Sequence, residues 1–411
     1  MGKTFTSLVT PDIEGYVWII REDRVNPNLL YAGTEFGLYI SVDGGKKWYR
    51  FENNVPKVAV HDILVHPKED AVILATHGRA LMIIDDISPL RQFTPEVMAK
   101  PIHFFTTQPT VLNDPGAGGN WFGGDGNYTG ENPSSLAKIV YWMSKRHTFG
   151  KMTIEVYGQD GQLIREVPAG KSAGINVVEM TATMEKPKAA PSENPQAMFG
   201  TLFGPNLPAG TYKVKVIKGK EEYWTSFTLK YPDSSPYTAE DRKVQAETTM
   251  RLYKQIEHIG YLYSAQDGII KQAKAVAQKN PKMGKLVDPL IKALQSRNDS
   301  LVFRGGDFYI NTEEKLAEEV SGLYGQVTSY PGRPGATQVE RVGSLDEELK
   351  KADQKFEKIK KDKLKKVNDK LTSDKLFEPI KVQTEEEFKK GEAGGGGIKQ
   401  NPFNWYYLFR H

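Results

Sequence analysis

Four residues that could bind an anion or move a proton lie beside short apolar runs in the first ninety residues: Arg21, Glu35, His77 and Arg79. Sialidase-type hydrolysis of a glycosidic bond needs an arginine cluster for the substrate carboxylate, an acid/base carboxyl group and a Tyr/Glu nucleophile pair. The four residues form only part of such a set, so they predict a ligand-binding face and no complete catalytic site. The alternative interpretation is that they are solvated charges at strand ends.

Metal and cofactor chemistry has little support in the sequence. The seven histidines are scattered, and no two have a spacing typical of metal ligands, such as that in HExxH. We therefore predict no metal site and no cofactor. The neighbouring carboxylates Asp85 and Asp86 leave Ca²⁺ binding open as an alternative, because calcium takes oxygen donors. Two adjacent carboxylates are not a specific calcium-binding pattern. The absence of cysteine excludes disulfides and thiolate chemistry.

The most specific short motif runs from Ser41 to Trp48 and has the S-x-D-x-G-x-x-W spacing of an Asp-box. An aspartate in a turn, here Asp43, accepts backbone N–H groups. Gly44 and Gly45 allow positive φ values, and Trp48 offers a large apolar surface beside the turn. The motif therefore predicts a closed turn between two strands. A direct catalytic role for Asp43 is the alternative.

Short strands must position these residues. Residues 1–90 contain runs rich in β-branched and aromatic residues, separated by turn sequences. The predicted strands are 17–20, 29–32, 38–41, 47–51, 60–65, 71–75 and 81–84. The tetrapeptide Gly2–Phe5 aligns with Gly45–Trp48 at an offset of 43 residues, a period typical of four-stranded propeller blades. We expect Gly2–Ser7 to be the end of another Asp-box hairpin.

The run YAGTEFGLYISVDGG at 31–45 resembles bacterial BNR/Asp-box β-propeller proteins of the sortilin (VPS10)-like type, often described as glycosyl hydrolases from the repeat alone. Residues 77–79 and 84–90 resemble the last blade and exit of that family. Residues 158–161 and 207–212 resemble its small Ig-like sandwich, and the helical part resembles its C-terminal bundle. The resemblance implies that the chain is the C-terminal portion of such a protein.

The predicted fold class is mainly β plus α and multidomain, with partial β-propeller blades, an Ig-like β-sandwich and a C-terminal antiparallel helical bundle. The predicted divisions are incomplete propeller blades at 1–90, a Pro/Gly-rich connector with little regular structure at 91–135, a sandwich at 136–232, a helical bundle at 233–390, and a Gly-rich linker with an aromatic tail at 391–411. The Pro/Ala/Glu-rich stretch 186–198 predicts a loop insertion. Ser344 and Glu347 form a capping-box pattern that predicts a helix start.

Composition excludes several classes of protein. The 411 residues carry 55 Lys+Arg and 51 Asp+Glu, and this net charge of +4 is too balanced for a dedicated nucleic-acid or membrane-surface binder. No apolar run approaches the roughly 18 residues of a membrane span. The N-terminus lacks the apolar core of a signal peptide. We expect a signal peptide upstream of this chain and a periplasmic or extracellular location.

An incomplete set of blades leaves unpaired strand edges and cannot close a ring. We therefore expect the missing blades, from an upstream segment or another chain, to be partners of residues 1–90. The first functional hypothesis is a non-catalytic binding or scaffold protein that uses a propeller face for protein or glycan recognition. The second is a BNR-type, sialidase-like glycoside hydrolase whose active site lies mostly in the missing blades.

Overall fold

The computed structural model describes residues 3–112, 134–305, 313–374 and 377–391. The Gly-rich run of the predicted connector and the aromatic tail lie outside these residues. The chain contains both sheets and helices and divides into two compact units. Of the described residues, the first unit takes 3–112, 134–182 and 209–231, and the second takes 183–208, 232–305, 313–374 and 377–391. The five-part division predicted from the sequence stays a prediction.

The first unit begins with two antiparallel sheets. The strands of the first sheet, in spatial order, are β1 (Val17–Glu22), β2 (Leu30–Thr34), β3 (Gly37–Ser41) and β4 (Tyr49–Arg50). Those of the second sheet are β5 (Val60–Val65), β6 (Val72–Thr76) and β7 (Leu81–Ile84). All seven predicted strands are confirmed, with ends shifted by at most two residues, because turn residues bound each β-branched run.

The two sheets pack against each other through β1, β2 and β5. Alternate residues of each strand face the shared core, which includes Tyr31, Leu38, Ile63 and Leu74. Each of the aliphatic side chains contributes about 1.5–3 kcal/mol by leaving water. The backbones approach closely at Gly33, where a Cβ would lie 2.5 Å from the carbonyl oxygen of Val60.

The other face of the first sheet is covered by the N-terminal segment. Leu8 and Ile13 of this segment pack on a small core formed by Leu30, Ala32, Tyr39 and Trp48. The expectation that the chain's beginning forms the end of an Asp-box hairpin was wrong for the described residues, since 3–16 contain no strand. The segment lacks alternating apolar residues and contains Pro11, which cannot donate to a ladder.

The second sheet has an apolar face that points away from the shared core. Leu64, Ile73 and Ile83 stand side by side on this face because they are direct partners across β5, β6 and β7. Leu81 extends the row, being two residues from Ile83 on β7. Leu64, Leu81 and Ile83 are exposed. We call these four residues the open face.

Residues 91–112 were expected to hold little regular structure, and that expectation was wrong. The elements of this region are α1 (Ser88–Gln92), α2 (Pro95–Ala99), β8 (Ile102–Phe104) and β9 (Thr110–Val111). A proline lies in the first turn of both short helices, where the missing N–H costs nothing. The Thr94 side chain caps α2 by accepting the N–H of Val97.

Two further sheets complete the first unit. Their remaining strands are β10 (Ala137–Met143), β11 (Met152–Tyr157), β12 (Leu163–Pro168), β13 (Gly174–Met180), β14 (Gly210–Lys218) and β15 (Glu221–Lys230). One sheet has the order β13-β10-β8 and the other β12-β11-β14-β15-β9. The pairs are antiparallel apart from β15 with β9. The two sheets meet through β10 and β15.

The second unit is mostly helical. Its helices are α3 (Pro195–Gly200), α4 (Ala239–Lys279), α5 (Gly284–Leu301), α6 (Leu316–Ser329), α7 (Ala336–Ile359), α8 (Lys365–Asp374) and α9 (Glu385–Lys390). The long helix α4 begins with a capping box between Thr238 and Asp241 and packs on α5, α6 and α7. Ser344 does not begin a helix as predicted. It lies inside α7, where its hydroxyl donates to the Glu340 carbonyl.

Residues 185–192 cross the surface of α4. All but the first belong to the loop insertion predicted at 186–198, whose last four residues are helical in α3 instead. We call residues 185–192 the strap. It passes closest at Gly260, where a Cβ would lie 2.1 Å from the Lys188 carbonyl oxygen. Within the described part of the chain, no helix is long and apolar enough to cross a bilayer.

Candidate functional site

A row of four rings crosses the edges of the first two sheets. The ring centroids of Tyr16 and Trp18 are 4.9 Å apart, those of Trp18 and His61 are 4.5 Å apart, and those of His61 and His77 are 5.4 Å apart. All four side chains are exposed to solvent. We call these residues the aromatic row. It presents a continuous surface of ring faces and edges.

Two β-bulges aim the central rings of the row. In the pairing of β1 with β2, the register shifts between Val17 and Ile19, which leaves Trp18 as the extra residue. In the pairing of β5 with β6, it shifts between Val60 and Asp62, which leaves His61 as the extra residue. A bulge re-aims a side chain and increases the local twist, and bulges are common beside functional sites.

Equivalent backbone bonds fix the turns beside the row. The Glu35 N–H donates to the Tyr16 carbonyl at 3.2 Å, and the His77 N–H donates to the Ala59 carbonyl at 2.8 Å. Each bond joins the turn after the second strand of a sheet to the start of its first strand. The two sheets therefore repeat one local design, and the bulge residues Trp18 and His61 differ by the same 43-residue period seen in the sequence.

The structure brings only part of the predicted ligand face together. His77 belongs to the aromatic row, and Glu35 adjoins it through its backbone. Arg21 is engaged elsewhere, because its guanidinium donates to the Ile63 carbonyl at 3.0 Å and to the Asp62 carboxylate at 3.2 Å. The Arg79 side chain is exposed and makes no ion pair with the described residues.

Sequence reasoning missed Tyr16, Trp18 and His61. The 43-residue period places Trp18 and His61 at matching positions of two neighbouring sheets. Comparing ring-bearing residues at that offset was the signal that could have found them. The bulges themselves have no local sequence signature, because a bulge depends on the partner strand.

The Asp-box closes the turn between β3 and β4. One carboxylate oxygen of Asp43 accepts the Ser41 hydroxyl at 2.8 Å and the N–H groups of Lys46 and Lys47 at 3.1 and 3.0 Å. The Ser41 hydroxyl in turn accepts the Gly45 N–H at 2.8 Å.

Backbone shape and packing complete the Asp-box turn. Gly44 and Gly45 have φ values of 72° and 87°, in the region that favours glycine. The buried Trp48 ring donates from Nε1 to the Leu8 carbonyl at 3.1 Å, which ties down the N-terminal segment. This geometry favours the structural interpretation of the motif over a catalytic one.

A buried ion network joins the end of β1 to α1. The Arg91 guanidinium binds both oxygens of Asp23 at 2.9 and 3.1 Å and also pairs with Asp70. The N–H groups of Val25 and Asn26 donate to Asp23 at 2.9 Å. Burial alone would raise the pKa of Asp23, but the hydrogen bonds and the charge of Arg91 outweigh it, so the pKa lies below its ordinary value.

The described residues offer no ready metal centre. Across 3–112, 134–305, 313–374 and 377–391, no three His, Asp or Glu side chains are grouped to hold an ion. Of the pair considered for calcium, the Asp86 carboxylate accepts the Ser88 N–H at 2.9 Å in the turn before α1.

Comparison with known proteins finds few matches to this chain. No protein-family model matches the chain, and no curated protein matches it. Among solved structures, the extracellular domain of a one-component system from B. thetaiotaomicron matches at 12% sequence identity with a TM-score of 0.14. The match covers 53% of this chain, which spans only 25% of that structure's length. A TM-score this low carries no argument about fold or function.

Proposed function

We propose that the chain is a non-catalytic recognition module of the cell envelope or extracellular space, and that it binds a glycan through the aromatic row. The observation that carries this proposal is the exposed pair of tilted rings, Trp18 and His61, each placed by a β-bulge. A sugar ring has an apolar face of C–H groups that packs on an aromatic ring, and its hydroxyls suit the polar ring edges of histidine. Recognition of a protein ligand by the same row is the second candidate.

We also propose which known architecture the sheets and helices form. The first two sheets are the last blades of a BNR/Asp-box β-propeller of the sortilin-like type, followed by an Ig-like sandwich and an antiparallel helical bundle. Support comes from the strand order β1-β2-β3-β4, the Asp-box between β3 and β4, and the 43-residue offset between Trp18 and His61.

The open face supports a partner for these blades. Leu64, Leu81 and Ile83 expose contiguous apolar surface, which soluble proteins seldom leave uncovered. A neighbouring blade would cover it in the way that the second sheet covers the first. We propose that further blades, from another segment or another chain, complete the ring.

Glycoside hydrolysis is the weaker candidate function for this chain. Arg21 would have to leave both Asp62 and Ile63 to bind a substrate carboxylate. A panel of fluorogenic glycosides, tested on the protein with its ring complete, separates the two functions. Binding without turnover supports the recognition module, whereas turnover of any glycoside would overturn the non-catalytic assignment.

The experiment that tests the proposal compares two exposed tryptophans. A glycan array identifies the ligand of the intact chain, and calorimetry then compares Trp18→Ala with Trp224→Ala. The side chains are 47% and 57% exposed, and Trp224 lies on β15, outside the row. Truncating a central aromatic anchor costs about 2 kcal/mol, so Trp18→Ala should weaken binding about 30-fold. Equal affinity of the two variants, or an array without any bound glycan, would contradict the proposal.

A further inference from the structure

A cavity of about 480 Å³ lies between the strap and the helices of the second unit. We call it the strap pocket. Its walls are mostly apolar and come from the strap, α3, α4 and α6. The residues used below are Lys188 of the strap, Met198 and Leu202 at α3, Ile256 of α4 and Ala317 of α6.

The pocket suits an apolar side chain of substantial size. Small-molecule and anchor sites typically enclose about 300–1,000 Å³ behind apolar walls with few polar groups. Met198 and Leu202 line the pocket and are each 49% exposed, so its rim offers apolar surface to solvent. Phe199, on the same helix, is also exposed but does not line the pocket.

The last described part of the chain is bound by Lys188, one of the residues that line this pocket. The Lys188 ammonium group donates to the carbonyl oxygens of Phe388 at 3.3 Å, Lys389 at 2.6 Å and Gly391 at 2.6 Å. These carbonyls lie at the C-terminus of α9, where a cation is favoured. Lys188 therefore connects the lining of the pocket to the chain at Gly391.

The residues that follow Gly391 have a composition that matches the pocket. Residues 392–402 include the run Gly394–Gly397, which permits the chain to turn back. Five aromatic residues come next: Phe403, Trp405, Tyr406, Tyr407 and Phe409. Eleven residues span at most roughly 38 Å, so the aromatic side chains can reach a pocket lined by Lys188, which binds the Gly391 carbonyl.

We propose that the aromatic segment 403–409 occupies the strap pocket of its own chain. A short tether gives an effective concentration on the order of 1 mM, so even an isolated affinity of about 0.1 mM fills the pocket about 90% of the time. Occupation also removes the exposed apolar surface of Met198 and Leu202 from water. The segment then acts as a built-in anchor that completes the helical unit.

The test exploits the absence of cysteine from the chain. Met198→Cys introduces a single thiol into the pocket wall of the 411-residue chain, and its labelling by a maleimide is timed. The comparison is the same variant with the five tail aromatics replaced by serine. The intact tail should slow labelling about tenfold, the protection expected at 90% occupancy. Leu202→Cys is a second pocket variant, and Phe199→Cys on the same helix should label equally in both chains.

Three other results of the labelling experiment would count against the proposal. Equal labelling of Met198→Cys and Leu202→Cys with and without the tail aromatics would overturn it. Equal protection at Phe199→Cys would mean that the tail covers α3 without entering the pocket. Protection that rises with protein concentration would show that a tail enters another copy, because an intramolecular contact is independent of concentration.

Discussion

At the scale of single residues, Asp43 illustrates why an acidic residue in a recognisable motif need not be catalytic. One of its oxygens accepts bonds from Ser41, Lys46 and Lys47, which holds the β3–β4 turn closed. Asp43→Ala removes this acceptor and should lower the free energy of unfolding by about 1–3 kcal/mol in urea titration. Glu35→Ala is the control, expected within about 0.5 kcal/mol of the parent protein. An Asp43→Ala chain of unchanged stability would contradict the structural role.

Asp23 should make the stability of the first unit sensitive to acid. Its pKa in the folded chain is below the ordinary value of 3.8, so its ionised form stabilises the fold above that pH. This contribution is lost as the pH falls through the folded-state pKa, because the folded carboxylate must then take up a proton. Arg91, which pairs with both Asp23 and Asp70, would lose the charge of one of its two carboxylate partners.

Urea titrations of the parent and of Asp23→Asn, from pH 6 down to about pH 3, measure this contribution. We expect Asp23→Asn to be less stable at pH 6 by about 3–5 kcal/mol, since it breaks a buried ion pair. We also expect its stability to fall less steeply in acid than that of the parent. Parallel stability curves for the two proteins would show that Asp23 contributes nothing to acid sensitivity.

At the scale of elements, the strap depends on one glycine of α4. A Cβ at Gly260 would lie 2.1 Å from the Lys188 carbonyl, whereas a Cβ at Gly268 on the same helix would meet nothing within 4 Å. Gly268→Ala should stabilise the protein by about 0.5–1 kcal/mol through helix propensity. Gly260→Ala should destabilise it by about 1–3 kcal/mol because the strap must move. Thermal unfolding of both variants checks the opposite signs, and a stabilising Gly260→Ala would refute the contact.

The elements also show what the sequence can predict. Strands such as 60–65 and 81–84 were found because apolar runs and turn residues are local signals. The crossing of the strap over α4 was missed because Lys188 and Gly260 are far apart in the chain. Ser344 and Glu347 matched a capping box, but in α7 the helix already runs through them, so tertiary packing overrode a local pattern.

At the scale of the whole molecule, the candidate site was only partly predictable. His77 was identified from its turn, whereas Tyr16, Trp18 and His61 join it through bulges and a sheet-to-sheet contact. The same limit applies to the open face. Alternation along β7 shows that Leu81 and Ile83 share a side, but only the structure shows that nothing among the described residues covers them.

Hydrogen exchange of the full-length chain tests most directly whether the first two sheets are an incomplete arc of blades. Strands β5, β6 and β7 have an uncovered apolar face and unpaired edges, so their amides should exchange faster than those of β10, β11 and β14. Addition of the further blades that we propose should slow that exchange. Protection of residues 60–84 equal to that of β10, β11 and β14 would contradict the account, because these sheets would then be complete without further blades.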